Sequence, residues 1–522
     1  MSGNPGRQHL GVTRSAALVG ILAVAAGVAG GAPGALQQVT VSPETFTRVA
    51  SGVGLVRPVA CKRAQGGQGA EVTGFLVGSR VIVTATAVVA DAIARGCGLQ
   101  VRLGGRWFGT TSARAWYDAR SEAHDVDLAT LELSRASTGH VFKFARTHPR
   151  RGEAVATLGH PLGLPLSFQQ GLFRRAVVTR GVPSVVSWIV AEGGNRGGPI
   201  VSEEGDVIGV VSRTTVPDED PVHAANFVGG LSLAEWFGAS GSSDLCRAYP
   251  QGGIPDCPTD PAPRELRRWA SLDLRESNAE SALRAPRQVS PQTFARVASG
   301  VAFLRYSDCP GGGGPSGFAV GGGTGFLVGS QVVMTARHVL LATTSCRLQV
   351  QLGSSWYGVT FPKAWYDARS KPQDVDLATV KLTRPAPGHI FMLARGLPRR
   401  GDTVATLGHP LGLPLNFQQG VFRGAVVFRG SPHVVTRMSV EGGNSGGPII
   451  GTDGRVIGVT SRVDLEDGDP AAVGGPNLAQ WFSATANRDL CRAYPRGGIP
   501  DCPTDLARPG PRRWLSMKRR AG

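Results

Sequence analysis

Apolar positions along this chain come in short runs rather than in helical stripes. In the second half, Phe326 to Thr335 (FLVGSQVVMT), Leu348 to Leu352, Val375 to Leu382 and Thr403 to Leu407 follow one another. Gly424 to Arg429, Val434 to Val440 and Val456 to Ser461 come later. Gly, Pro, Asp or Ser separate them. Short runs rich in β-branched residues and bounded by turn formers predict strands. Many in succession predict an all-β closed barrel or a sandwich. LAEWF at Leu233 to Phe237 and LAQWF at Leu478 to Phe482 each predict a short helix.

The pattern is written twice. VSPETFTRVASGV at Val41 returns as VSPQTFARVASGV at Val289, AWYDARS at Ala115 returns at Ala364, and ATLGHPLGLPL at Ala156 returns at Ala405. CRAYPQGGIPDCPTD at Cys246 returns at Cys491 with Gln251 changed to Arg496. The period is far longer than the roughly 20 to 45 residues of solenoid repeats, so these are two whole domains, 36–270 and 288–517. The polar stretch SLDLRESNAESALRAPR, 271–287, reads as a linker.

Residues 1–35 stand apart from both. Arg7 and Arg14 precede an apolar stretch from Ala16 to about Gly31, which ends in small residues around Ala32 and Ala35. That is the order of an export signal peptide. A retained membrane anchor is the alternative, and Pro33 with the Gly- and Ala-rich end favours cleavage. The mature chain is then expected outside the reducing cytosol, secreted or in the cell envelope, and free of the membrane.

Eight cysteines fit that compartment, four in each unit. Four allow three pairings. The favoured ones are Cys61 with Cys97, Cys246 with Cys257, Cys309 with Cys346, and Cys491 with Cys502. No C-x-x-C pair or nearby His doublet supports zinc. The net charge of +17 comes almost wholly from Arg, but the Arg are scattered, which reads as a solvated surface rather than a nucleic-acid site.

Candidate chemistry lies in the second unit, in TARH with His338, DVDLATVKL with Asp376, and EGGNSGGPII with Ser445. A serine hydroxyl needs a base to take its proton, and the imidazole needs a third group to fix its tautomer. Gly442, Gly443, Gly446 and Gly447 leave the loop around Ser445 free to present N–H groups to an oxyanion. The donors expected are those of Gly443 and Ser445.

The ordered set TARHV, DVDLA and GNSGGP, with GHPLGLPLNFQQG between the last two, resembles the chymotrypsin-like (trypsin-fold) serine endopeptidases. The nearest likeness is to their exported bacterial branch, the Deg-type proteases and glutamyl endopeptidases. The resemblance spans about Arg48 to Phe237 and about Arg296 to Phe482. It implies two packed six-stranded antiparallel β-barrels per unit, a short C-terminal helix, and an active site in the cleft between barrels. Asp376, followed by Leu377 and Ala378, matches the family's orienting carboxylate better than Asp374. Asn444 stands where the digestive branch has an Asp that pairs with a freed N-terminus, so that activation switch is not expected. The pocket base falls near Ser439 and one wall at Thr460, Ser461 and Arg462. This suggests a small or medium apolar side chain, or second an acidic one through Arg462.

The first unit serves as a comparison within the chain. Ala87 aligns with His338, Arg196 with Ser445, and Asp127 with Asp376. Base and nucleophile are both gone, which should lower acyl transfer on the order of 10⁴ to 10⁶. His160 and His140 match His409 and His389, so those four read as structural or surface residues. The expectation is an exported serine endopeptidase acting on protein or peptide through its second unit, with a silent first unit. No metal or organic cofactor and no nucleic acid are implied, and the oligomeric state is open. The alternative is a peptide-binding protein without catalysis.

Overall fold

Two copies of one strand pattern build the molecule, and the copies are joined by a continuous sheet. The structure is a computed structural model. It describes residues 40–522 apart from 63–70, 118–125, 180, 190–193, 213–227, 239–242, 258–267, 276, 278–286, 308–321, 345, 361, 462–471, 483–486, 507–511 and 518–522. The expected signal peptide therefore lies outside the described residues, as do Cys309 and Arg462. Among the described residues no helix is long and apolar enough to cross a membrane.

In the first unit, β1 (Val53–Val59), β2 (Val72–Gly78), β3 (Val81–Thr84), β4 (Gly98–Leu103), β5 (Arg106–Tyr117) and β6 (Ala129–Leu133) form an antiparallel barrel. Their order is β5-β4-β1-β2-β3-β6, and β5 closes back on β6. A second barrel follows, from β7 (Ala154–Gly159), β8 (Ser167–Thr179), β9 (Val182–Trp188), β10 (Pro199–Val201), β11 (Val207–Val211) and β12 (Val228–Ser232). It closes through β8 and β9. A tail strand, β13 (Arg268–Leu272), then adds to β5, with Trp269 opposite Trp116.

The second unit repeats the plan with β14 (Val301–Ser307), β15 (Gly322–Gly329), β16 (Val332–Ala336), β17 (Arg347–Leu352), β18 (Ser355–Gly358), β19 (Lys363–Tyr366) and β20 (Leu377–Lys381). Here β18 and β19 together take the place of β5. Its second barrel is β21 (Thr403–Gly408), β22 (Asn416–Phe428), β23 (Ser431–Arg437), β24 (Pro448–Ile450), β25 (Val456–Val459) and β26 (Ala472–Pro476), and a tail strand β27 (Arg513–Ser516) pairs with β19. The all-β, doubled-barrel architecture is the one the resemblance implied.

Several boundaries differ from the sequence reading. The run Phe326 to Thr335 is two strands, because Ser330 and Gln331 make a turn tied to the carbonyls of Gly498 and Gly497. The expected linker at 271–287 begins inside β13, and first-unit packing continues beyond it. Leu274 is buried, and Ser277 Oγ donates to the Leu99 carbonyl. The alternation of Leu272 and Leu274 places both on one face, where apolar burial outweighs the polar neighbours.

Strand β16 is buried along its whole length, with Val332 beside Gly497 of the tail and Thr335 beside Gly446 of the Ser445 loop. Helices Pro43–Val49 and Pro291–Ala298 start in the same way, with Ser42 and Ser290 accepting from the N–H of Thr45 and Thr293 at 3.0 Å. Serine caps followed by Pro at the first helical position explain both starts. Phe46 and Phe294 from these helices meet Phe168 and Phe417 in a four-ring cluster with centroids 4.8 to 5.9 Å apart. At the same place Phe417 pairs with Phe168 and joins the two second barrels into one 12-stranded sheet.

Candidate active site

Strand pairing brings the candidate base and carboxylate together. β16 pairs with β20 so that Ala336 lies opposite Leu377, which sets Arg337 and His338 beside Asp376. Arg337 N–H donates to the Asp376 carbonyl at 3.1 Å. Asp376 ends the short helix Pro372–Val375 in the left-handed region, φ 53°, a conformation aspartate tolerates better than most residues. Asp374 lies inside that helix and accepts from the Lys371 N–H at 3.2 Å. It is a cap, not part of the site.

His338 Nδ1 lies 2.7 Å from Asp376 Oδ2, and the His338 backbone N–H donates to Oδ1 at 2.8 Å. Ser461 Oγ donates to Oδ2 at 2.5 Å. Burial pushes the Asp376 carboxyl up, but the His338 ring, the Ser461 hydroxyl and the His338 N–H outweigh it. The net effect holds the group below the usual carboxylate range. An ionised carboxylate so held fixes the imidazole with Nδ1 as donor and Nε2 available to take a proton.

Ser445 sits on the loop between β23 and β24. Gly443 and Gly446 have φ of +98° and +88°, and a Cβ on Gly446 would come within 2.1 Å of the Thr324 carbonyl. Only glycine fits there. Thr324 N–H donates to Ser445 O at 2.8 Å, Thr324 Oγ1 to Gly443 O at 2.7 Å, Leu411 N–H to Gly442 O at 2.7 Å, and Gly446 N–H to Thr460 O at 2.8 Å. The first three turn the loop carbonyls into the protein, and the fourth ties down the Gly446 N–H. The N–H groups of Gly443 and Ser445 have no acceptor in the described chain. Gly323, on β15, packs between the Ser445 carbonyl and Val339, the neighbour of His338. Ser445 is half-buried, and its hydroxyl makes no hydrogen bond to His338. That contact commonly tightens only with substrate.

Pocket candidates Ser439, Thr460 and Ser461 are all buried. The Ser461 hydroxyl serves Asp376, and Thr460 Oγ1 lies 2.7 Å from Thr406 Oγ1. The Ser439 hydroxyl is buried without a partner. Asn444 is buried and donates to Gln418 Oε1 at 3.2 Å, so it holds the loop through a side-chain bond rather than an ion pair. Buried His160 and His409 hold the Leu164 and Leu413 carbonyls through Nδ1, and burial pushes both down to about 4. His140 and His389 pack edge-on against Phe142 and Phe391.

The first unit repeats this framework around different side chains. Asp127 has φ 51°. It accepts from the Ala87 N–H at 3.2 Å and from Ser212 Oγ at 2.7 Å. Where the second unit has an imidazole, Arg196 brings Nε and Nη2 to Asp127 Oδ2 at 3.1 and 2.6 Å. Sequence reading missed both serine donors. Their only signal is that Ser212 and Ser461 each follow a buried valine-rich strand, which many serines do. Disulfides join Cys61 with Cys97, Cys246 with Cys257, and Cys491 with Cys502, and Cys346 is also disulfide-bonded.

Paired antiparallel barrels, with a carboxylate-bound imidazole and a glycine-bedded serine loop, define the chymotrypsin-like serine peptidase architecture. The chain belongs to the trypsin-like peptidase domain family, which matches residues 72–210 and 323–459, more than half of it. Among curated relatives, serine protease HTRA1A of Danio rerio is 27% identical over 184 residues, covering 33% of this chain and 36% of that protein. Serine protease HTRA4 of Mus musculus is 30% identical over 182 residues, covering 32% and 35%. The chain thus spans about a third of the length of these relatives. The Rv3671c protease from M. tuberculosis in its active form is 22% identical, covering 40% of this chain and 86% of that one, with a TM-score of 0.31.

Proposed function

We propose that this chain is an exported serine endopeptidase whose second unit hydrolyses peptide bonds and whose first unit is catalytically silent. One observation carries the reading, the 2.7 Å bond from His338 Nδ1 to an Asp376 carboxylate that two further donors hold in place. His338 Nε2 takes the Ser445 proton as Oγ attacks the scissile carbonyl. The N–H groups of Gly443 and Ser445 receive the oxyanion, where each donor is worth on the order of 10² to 10³ in rate. The imidazolium, stabilised by Asp376, then protonates the leaving amine, and water releases the acyl group by the reverse path.

Silence of the first unit rests on Ala87 and Arg196, which offer neither base nor nucleophile. Export is supported by the apolar stretch after Arg14 and by the disulfides. The described pocket residues Ser439, Thr460 and Ser461 carry no charge, which supports a preference for a small or medium apolar side chain.

A second reading, a peptide binder with two silent clefts, draws on the absence of a Ser445–His338 hydrogen bond. A fluorophosphonate probe separates the two, since it labels only an activated serine. Wild-type protein is expected to label and to hydrolyse a peptide library. Ser445→Ala should lose both while its circular dichroism and melting temperature stay unchanged. Folded, oxidised wild-type protein that takes no label would overturn the peptidase reading.

A further inference from the structure

The first unit keeps the framework of an oxyanion hole and puts a cation where the nucleophile would be. Gly194 and Gly197 have φ of +100° and +82°, close to their counterparts Gly443 and Gly446. Thr73 Oγ1 donates to Gly194 O at 2.7 Å, Thr73 N–H to Arg196 O at 3.0 Å, and Gly197 N–H to Val211 O at 2.8 Å. They match three of the four bonds that hold the Ser445 loop, and the two from Thr73 turn the Gly194 and Arg196 carbonyls inward as those from Thr324 do for Gly443 and Ser445. The N–H groups of Gly194 and Arg196 have no acceptor in the described chain.

Arg196 adds charge to that frame. Its Nε and Nη2 grip Asp127, while Nη1 has no partner among the described residues. The side chain is 29% exposed, against 12% for Asp127. Ala87 leaves room for the guanidinium in the space an imidazole would need. The substitutions at 87 and 196 therefore do more than delete a base and a nucleophile. Together they install a fixed cation on the same loop as two N–H donors that have no acceptor among the described residues.

We propose that the first unit's cleft binds the free α-carboxylate of a peptide through the N–H groups of Gly194 and Arg196 and the Arg196 guanidinium. A carboxylate has two oxygens and a full charge, so one can enter the N–H pair while the other meets the guanidinium. An uncleaved peptide carbonyl is neutral and has one oxygen, and it lacks the charge-assisted bond. Hydrolysis in the second unit leaves a new α-carboxylate on the acyl half of its substrate. That source of ligand rests on the peptidase reading, whereas the site itself does not.

The test uses the full chain with Ser445 blocked by a fluorophosphonate, so that the second cleft is occupied. Binding of one fluorescent peptide is compared as its free acid and as its C-terminal amide, at 0.15 M salt to screen the basic surface. The acid is expected to bind about tenfold tighter or more, the order of one charge-assisted bond. Arg196→Gln should abolish that preference. Because this variant strands Asp127, the double variant Asp127→Asn with Arg196→Gln, a neutral pair, is measured beside it with melting curves. Equal binding of acid and amide to the blocked wild type would overturn the inference, as would a preference that survives in the folded double variant. Failure of Ser445 to take up the probe would count against the peptidase reading instead. The comparison is then made on Ser445→Ala, whose second cleft stays open, and only the part of the acid preference that Arg196→Gln removes counts for the carboxylate site.

Discussion

Asp376 and Asp127 occupy the same backbone setting yet meet different cations. Each sits in the left-handed region after matching strands have been brought together, and each accepts from a backbone N–H and a serine hydroxyl. A buried carboxylate needs such donors whatever its role. In the second unit the remaining valence goes to an imidazole that can exchange a proton, and in the first to a guanidinium that stays charged. If the rest of the first cleft is intact, two substitutions should restore it. In a Ser445→Ala background, Ala87→His with Arg196→Ser is expected to recover fluorophosphonate labelling, now on residue 196. Mass spectrometry of the labelled peptide reads the result, and a folded but unlabelled protein would show that more than these two side chains was lost. Arg196→Ser alone should instead destabilise the first unit by about 1 to 3 kcal/mol, since Asp127 loses its cation.

Residue types and chain order carry much of this in the sequence. The types His338, Asp376 and Ser445 and their counterparts Ala87, Asp127 and Arg196 are legible because the repeat aligns them. Distances are not. Nothing local says that Arg196 reaches Asp127, 69 residues away, or that Ser461 serves Asp376, 85 residues away. Those contacts exist only once two barrels have packed.

At the scale of elements, the tail strands were the least legible. β13 and β27 are short, mostly exposed and each opens on an arginine, which suits a loop as well as an edge strand. Their partners, β5 and β19, supply the unpaired edge and a tryptophan opposite each tail tryptophan. Arg512 shows what the second tail does. Its guanidinium reaches Asp367 and the carbonyls of Trp481 and Gln480, lies 4.2 Å from the Trp481 ring centroid, and its backbone N–H donates to Asp489. Asp367 in turn accepts from Ser370 Oγ and the Arg369 N–H, in the turn that leads into the helix before Asp376. Arg512→Ala leaves the buried Asp367 uncompensated. Removing one partner of such a pair typically costs about 3 to 5 kcal/mol. A lower urea midpoint is expected, with kcat falling as the Asp376 segment loosens. Unchanged stability would mean that the tail is ornamental.

For the whole molecule, the buried histidines set a pH limit. His160 and His409 are held neutral at about 4 by burial, while an unfolded histidine titrates near 6.5. Between those values the unfolded chain binds more protons than the folded one, so stability falls as pH drops from 6.5 toward 4. At about 1.4 kcal/mol per pH unit, the penalty reaches roughly 3 kcal/mol per histidine by pH 4. Urea midpoints at pH 7.0, 5.5 and 4.5 are expected to decline in that order for wild type. His160→Gln with His409→Gln should flatten the decline, and an unaltered slope in this variant would assign the acid loss to other groups.

The four-phenylalanine junction has its own consequence. Gln170 N–H donates to Asn416 Oδ1, and Gln419 N–H donates to Ser167 Oγ, so each half ties to the other through matching positions. Such a near-twofold seam between separate identical subunits would force every mutation to appear on both sides at once. Here both halves lie on one polypeptide, so one side can change while its mate stays as it was. Genetic fusion thus lets the two clefts carry different side chains, and neither surrenders the shared seam.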